Sequence, residues 1–225
     1  ETGETEIISV TGGVITVGDS TATPTTGETY YPLSDTTVGL ADGLYQNILS
    51  VERVVLPDSV KYIGEFTFAL CDNLRIIQTS ENSQLTSIGY GSFLKCVGLR
   101  QVSFGDLSSN FSLDRIGDYA FYGCELLFNS SFEDISFIPE SVTSVGMQAF
   151  YDTGLYSEPD ESGVIYAGDW VVGYEGYLAG VSIMNGKLGE YGLDAQVSAD
   201  GMSTVTDITL KPSVRGIADY AFIGH

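Results

Sequence analysis

Residues 116–127 read Ile116-Gly117-Asp118-Tyr119-Ala120-Phe121-Tyr122-Gly123-Cys124-Glu125-Leu126-Leu127. The skeleton is Ile-Gly, then Ala-Phe, Cys and Leu at steps of three. It returns as Ile63-Gly64, Thr67-Phe68, Cys71, Leu74 and as Ile88-Gly89, Ser92-Phe93, Cys96, Leu99. A fourth copy runs Val145-Gly146, Ala149-Phe150, Thr153, Leu155. A fifth begins at Ile217-Ala218, Ala221-Phe222, with His225 in the cysteine slot. A degenerate earlier copy places Leu40, Tyr45, Ile48, Val51, Val54, Leu56 and Pro57 at the same offsets. Self-similarity at a period of 25 to 29 residues marks a stack of like units rather than one globular core.

A second half-motif precedes Ile-Gly. It reads Leu56-Pro57-Asp58-Ser59-Val60 and Ile138-Pro139-Glu140-Ser141-Val142, and less closely Leu210-Lys211-Pro212-Ser213-Val214. In Leu-x-x-Val-x-Leu the last two apolar residues are two apart, the period of a strand with both pointing inward. Proline then stops the strand because it lacks the ladder donor. Ser-Val-x-x-Ile-Gly reads as a second short extended segment. Ala-Phe-x-x-Cys-x-x-Leu, spaced by threes, predicts a short helical turn with one face inward. Rungs about 4.8 Å apart bring Phe68, Phe93, Phe121 and Phe150 into one column and Cys71, Cys96 and Cys124 into another. Three cysteines cannot all pair. No Cys-x-x-Cys and no nearby histidine accompany them, so they read as small buried apolar side chains.

With these copies on the page, the chain resembles the BspA-type leucine-rich repeat family of bacterial and protist surface proteins, over roughly residues 40–225 and most weakly over 156–205. The expected fold is an α/β solenoid: a curved leucine-rich-repeat coil with parallel strands on the concave face, short helical turns and an N-terminal β cap. Residues 1–39 lack the motif. Glu6-Ile7-Ile8-Ser9-Val10 and Gly13-Val14-Ile15-Thr16-Val17 read as two strands, and the region as the cap over the first exposed rung. Residues 40–155 are the regular repeats. Residues 156–205 are an expanded unit, and 206–225 start a further repeat. Insertions at 79–84, 105–110 and before Ile138 read as loops.

Thirty acidic residues face nine basic ones, a net charge of −21. Such a field repels phosphate backbones and anionic lipid. Solvation is its ordinary use; a cationic partner or calcium is the alternative. The sole histidine, His225, is terminal. The nucleophilic triads and zinc helices that need a histidine are therefore excluded from the body of the chain, and the chain reads as a non-enzyme without cofactor. Asp194, Asp200 and Asp207 lie near a glycine-rich stretch but lack an ordered calcium-loop pattern, so no metal site is expected. Asn110-Phe111-Ser112 and Asn129-Ser130-Ser131 are sequons that a eukaryotic secretion host would recognise. No apolar run long enough to span a membrane occurs. Glu1-Thr2-Gly3 resembles a secretion-vector scar and the chain ends as a motif begins, which reads as an excised ectodomain fragment.

The binding surface expected of such a coil is the row of outward strand residues: Arg53 and Val55, Ile76 and Gln78, Gln101 and Ser103, Asp207 and Thr209. A second candidate is the aromatic cluster Tyr151, Tyr156, Tyr166, Trp170, Tyr174 and Tyr177. Within it, Gly163-Val164-Ile165-Tyr166 and Trp170-Val171-Val172-Gly173-Tyr174 flank a Gly-Asp turn and predict a hairpin. Its rings either anchor an interface or pack the hairpin onto the coil. The resemblance implies a secreted or cell-surface protein that attaches to a protein or glycoprotein ligand on a host or neighbouring microbe. The alternative is a passive spacer within a larger surface protein.

Overall fold

The computed structural model describes residues 36–79, 82–103, 112–127, 138–157, 159–175 and 208–222, with the backbone of strands β1 (Gly13–Thr16) and β2 (Thr29–Tyr30). Two sets of short strands recur along the coil. The first set is β3 (Gly39–Leu40), β5 (Tyr62–Ile63), β7 (Ser87–Ile88), β9 (Arg115–Ile116) and β10 (Ser144–Val145). These pair in parallel as one five-stranded sheet in that order. The second set is β4 (Val51–Val55), β6 (Ile76–Gln78) and β8 (Gln101–Ser103), which pair in parallel in sequence order. Strand β1 continues this sheet beside β4, and β2 lies beyond β1. Of the strand expected at 13–17, Gly13–Thr16 is thus present, whereas that expected at residues 6–10 lies outside the described residues.

The alternation drives this packing. In β4, Val51 and Val54 are buried while Glu52 and Arg53 face out. Leu56 follows inward. After the strand, the carbonyls of Pro57 and Pro139 accept the N–H of Val60 and Val142, closing the turn into the second strand set. Ile63, Ile88, Ile116 and Val145 then enter the core from that side. The glycine that follows each of them admits the next rung. A Cβ on Gly117 would lie 2.8 Å from the backbone carbon of Gly89, and one on Gly89 2.9 Å from that of Gly64.

The aromatic column forms as the spacing predicts. Tyr45, Phe68, Phe93, Phe121 and Phe150 stack face to face, centroids 5.2, 5.3, 5.2 and 5.4 Å apart and planes within 9° of parallel. The cysteines stand in register beside them, buried and unpaired. Each thiol donates to a carbonyl of the preceding rung: Cys71 to Tyr45, Cys96 to Phe68 and Cys124 to Phe93, at 3.0–3.1 Å. Burial, with Cys96 close by, pushes the Cys71 thiol up to about 12.

The helical turns do not form. Between the sheets, alternate amides reach across to the next rung: Phe66, Phe68 and Leu70 donate to Tyr90, Ser92 and Leu94, and Gly91, Phe93 and Lys95 donate to Asp118, Ala120 and Tyr122. The intervening amides close tight turns, such as Ala69 to Phe66 and Cys71 to Phe68. This requires two left-handed residues per turn. One column is Gly43, Phe66, Gly91, Tyr119 and Gln148, and the other Asn47, Leu70, Lys95, Gly123 and Asp152, all with φ between 50 and 71°. A helix cannot pass through such positions. Among the described residues, the one helical element is a 3-10 turn, Gly154–Ser157. The coil is therefore a parallel β-solenoid whose third side is a ladder of turns.

After the fourth repeat, β11 (Val164–Ala167) and β12 (Trp170–Tyr174) form the expected antiparallel hairpin. The coil resumes when β13 (Gly216–Ile217) pairs in parallel with β12. Phe222 consequently packs against Tyr174, 5.8 Å between centroids, in the expanded unit.

Candidate interaction face

The register of β4, β6 and β8 decides which side chains share a surface. Ile76 pairs with Arg53 on one side and Gln101 on the other, and Gln78 likewise with Val55 and Ser103. Six of the sequence-predicted residues therefore form two adjacent rows across three rungs, all exposed or half-buried. The Arg53 guanidinium donates to Gln78 Oε1 at 2.6 Å, tying the rows diagonally.

The rows have a charged border that sequence reasoning missed. Arg75 and Arg100 are exposed at the entrances to β6 and β8. The Arg75 amide donates to the Glu52 carbonyl and that of Arg100 to the Arg75 carbonyl, which fixes Glu52, Arg75 and Arg100 on successive rungs. Three of the nine basic residues of an acidic chain thus gather on one face, with Glu52 as the acid in that row. The signal was legible in Leu74-Arg75 and Leu99-Arg100, where an arginine follows the recurring inward leucine of the repeat. Such a face offers guanidinium donors with the fork geometry that matches carboxylates, amide groups between them and two apolar side chains.

Asp207 lies outside the described residues, and Thr209 is exposed in a stretch without strand pairing. Asn110, Asn129, Tyr177, Asp194 and Asp200 also lie outside the described residues.

The aromatic hairpin faces inward. Trp170 is 5% exposed and Tyr174 8%, so of the two expected roles these two rings take the packing one. Their packing explains two glycines. A Cβ on Gly216 would collide with the Trp170 ring, and one on Gly173 with the Tyr156 phenol. Tyr166 is half-buried, with the Lys211 ammonium 4.0 Å above its ring and its hydroxyl accepting the Lys211 amide. Burial raises the phenols of Tyr156, Tyr166 and Tyr174 above their ordinary range. Among the described residues, no three His, Cys, Asp or Glu side chains converge to hold a metal ion.

Two solved leucine-rich repeat proteins resemble the chain. One, from T. pallidum, is 27% identical, with 64% of this chain and 63% of that one covered and a TM-score of 0.43. The other, from Eubacterium ventriosum, is 20% identical over 62% of this chain and 40% of that one, with a TM-score of 0.37. The chain spans less than two thirds of either. No curated protein matches it. The family description "BspA type leucine rich repeat region" matches in six copies across residues 39–165. That match covers more than half of the sequence and follows the rungs seen in the structure: the chain belongs to the BspA-type leucine-rich repeat family.

Proposed function

We propose that the chain is an extracellular protein-binding module of a microbial surface protein, and that Arg53, Val55, Ile76, Gln78, Gln101 and Ser103, bordered by Arg75 and Arg100, hold a protein or glycoprotein ligand. The register that aligns these residues in two rows carries the reading. A rigid ladder displays them without the ordering cost a flexible loop would incur on binding. Family membership supports a protein-interaction role, since repeat solenoids present extended surfaces of this kind. The local cluster of guanidiniums favours an acidic stretch of ligand over a basic one, and in a chain of net charge −21 it offers such a ligand a local docking point. Strand β1 beside β4 supports residues 1–39 as the end cover of this face.

Binding isotherms against host secretions and purified matrix glycoproteins test the reading. The double variant Arg53→Ala, Gln101→Ala removes both ends of the first row, and Glu161→Ala, exposed just before the hairpin, serves as control. Saturable binding weakened at least about tenfold by the double variant and unchanged in the control supports it. Absence of saturable binding at micromolar concentration, or binding indifferent to the double variant, overturns it and leaves the spacer role.

A further inference from the structure

The turn side of the coil carries a second aromatic series, separate from the internal column. Phe66, Tyr90, Tyr119, Tyr122, Tyr151 and Tyr156 follow one another with centroids 5.1, 5.3, 5.7, 5.3 and 5.0 Å apart. Four of the five pairs are tilted by 53–65°, unlike the near-parallel internal stack. Tyr90 is 39% exposed, and the other five are half-buried. The ridge is anchored at one end where the Tyr156 hydroxyl donates to the Val172 carbonyl at 3.4 Å. At the other end the Phe66 ring lies over Gly91, where a Cβ would come within 2.8 Å of it.

The surroundings of the ridge are acidic. The turn segments contribute Asp42, Glu65, Asp118 and Asp152 against Lys95. Burial first, then neighbouring groups that include Asp118 for Tyr119 and Glu175 for Tyr156, raise these two phenols, so a carboxylate lies near each. Tyrosine faces attract cations through the ring quadrupole, and the chain already uses that contact where Lys211 sits over Tyr166. A guanidinium suits this setting better than an ammonium, because it lies flat on a ring while its edge pairs with a carboxylate.

We propose that the turn-side ridge from Phe66 to Tyr156 docks an extended, arginine-bearing segment of a partner protein, with guanidiniums stacked on the tyrosines and paired with the flanking carboxylates. This surface is distinct from the strand face, and its sign of charge is opposite to the guanidinium cluster there. Each face stands or fails by itself.

The test uses the whole chain and three fluorescent probes: a nine-residue peptide of alternating arginine and glycine, its lysine counterpart, and a neutral cello-oligosaccharide. The arginine peptide binds more tightly than the lysine peptide. Tyr90→Ala with Tyr119→Ala weakens it about tenfold at unchanged net charge, Tyr90→Phe stays within about twofold, and Arg53→Ala has no effect. In the wild-type chain, bound peptide slows nitration of Tyr90, Tyr119 and Tyr122 by tetranitromethane, a readout that needs no variant to fold. Equal affinity for the two peptides together with indifference to ring removal shows diffuse charge attraction and overturns the proposal. So does unslowed nitration at saturating peptide. Tyr90-dependent binding of the oligosaccharide without binding of the arginine peptide also overturns it, in favour of a glycan surface.

Discussion

Replacing one ring of the internal column tests whether the rungs hold together by like-on-like stacking. Phe93 is fully buried between Phe68 and Phe121, its centroid 5.3 and 5.2 Å from theirs. Phe93→Leu keeps most of the apolar volume but loses two ring pairs, each worth about 0.5–1.5 kcal/mol beyond area burial. The expected loss of stability is therefore about 1–3 kcal/mol, against about 3–5 kcal/mol for Phe93→Ala, which also opens a cavity. The sharper quantity is the coupling. Adjacent Phe68→Leu and Phe93→Leu remove one shared pair, so the double variant loses about 0.5–1.5 kcal/mol less than the two singles together. Phe68 and Phe121 have Phe93 between them, and their leucine variants add to within about 0.5 kcal/mol. Urea unfolding followed by circular dichroism, with unchanged slopes as the check on a common denatured state, measures the wild type and every variant. Equal coupling for the adjacent and the separated pair, or a Phe93→Leu loss under about 0.5 kcal/mol, would refute nearest-neighbour stacking as the source of cohesion.

Gly117→Ala drives a methyl against the Gly89 backbone at 2.8 Å, where nothing flexible gives way; the chain loses about 1–3 kcal/mol of stability in the same urea assay. Lys95→Gly relieves a side chain held at φ 55°; the left-handed strain of about 1–2 kcal/mol exceeds the entropy glycine adds to the unfolded chain, so the melting temperature rises. The Cys71 thiol, raised by burial from 9.0 to about 12, stays protonated in the fold after the unfolded chain has begun to ionise. Its contribution is complete below the unfolded value of about 8.5–9 and is lost as pH rises through about 12. Urea midpoints should fall progressively above pH 9, and Cys71→Ala should flatten that fall; an equally steep decline in the variant counts against the assignment.

The inward residues were legible because the period-two strand and the three-residue steps leave few alternatives for Val54, Ile77, Phe93 or Cys96. The two outward rows follow from the same alternation, and the ladder registers Arg53 with Ile76 and Gln101 accordingly. The turn side was not legible from spacing. Steps of three suit a helix, but they equally suit a chain that alternates cross-rung and local hydrogen bonds through paired left-handed residues. The arbitrating signal was the glycines, Gly43 and Gly91 in one left-handed column and Gly123 in the other, at slots filled elsewhere by Phe66, Leu70 and Tyr119. Aromatic density left two readings open for a related reason. The tyrosines and tryptophan of 166–174 cluster in sequence, which suits interface anchors and hairpin packing alike. Gly173 and Gly216 show where Tyr156 and Trp170 are packed closely.

Exposure in a coil of this kind is therefore a property of columns, not of local sequence clusters. A residue next to a buried one in a strand is outward on every rung, and so is the residue after the Ile-Gly pair. Glu65, Tyr90 and Asp118 hold that last slot in successive repeats. Each lies far from the next in the chain, so no window of sequence shows them as a surface. Stacking brings Tyr90 to 5.3 Å from Tyr119, two residues 29 positions apart, across the gap between rungs. The same stacking places Arg75 beside Arg100 on the opposite sign of surface. A coil held by identical internal columns is free to vary these outer ones independently. That freedom gives one rigid scaffold a guanidinium-bordered strand face and an acidic aromatic turn face. Substitutions at Arg53 and at Tyr90 should accordingly leave each other's binding untouched, because the shared element between them, the phenylalanine column, is altered by neither.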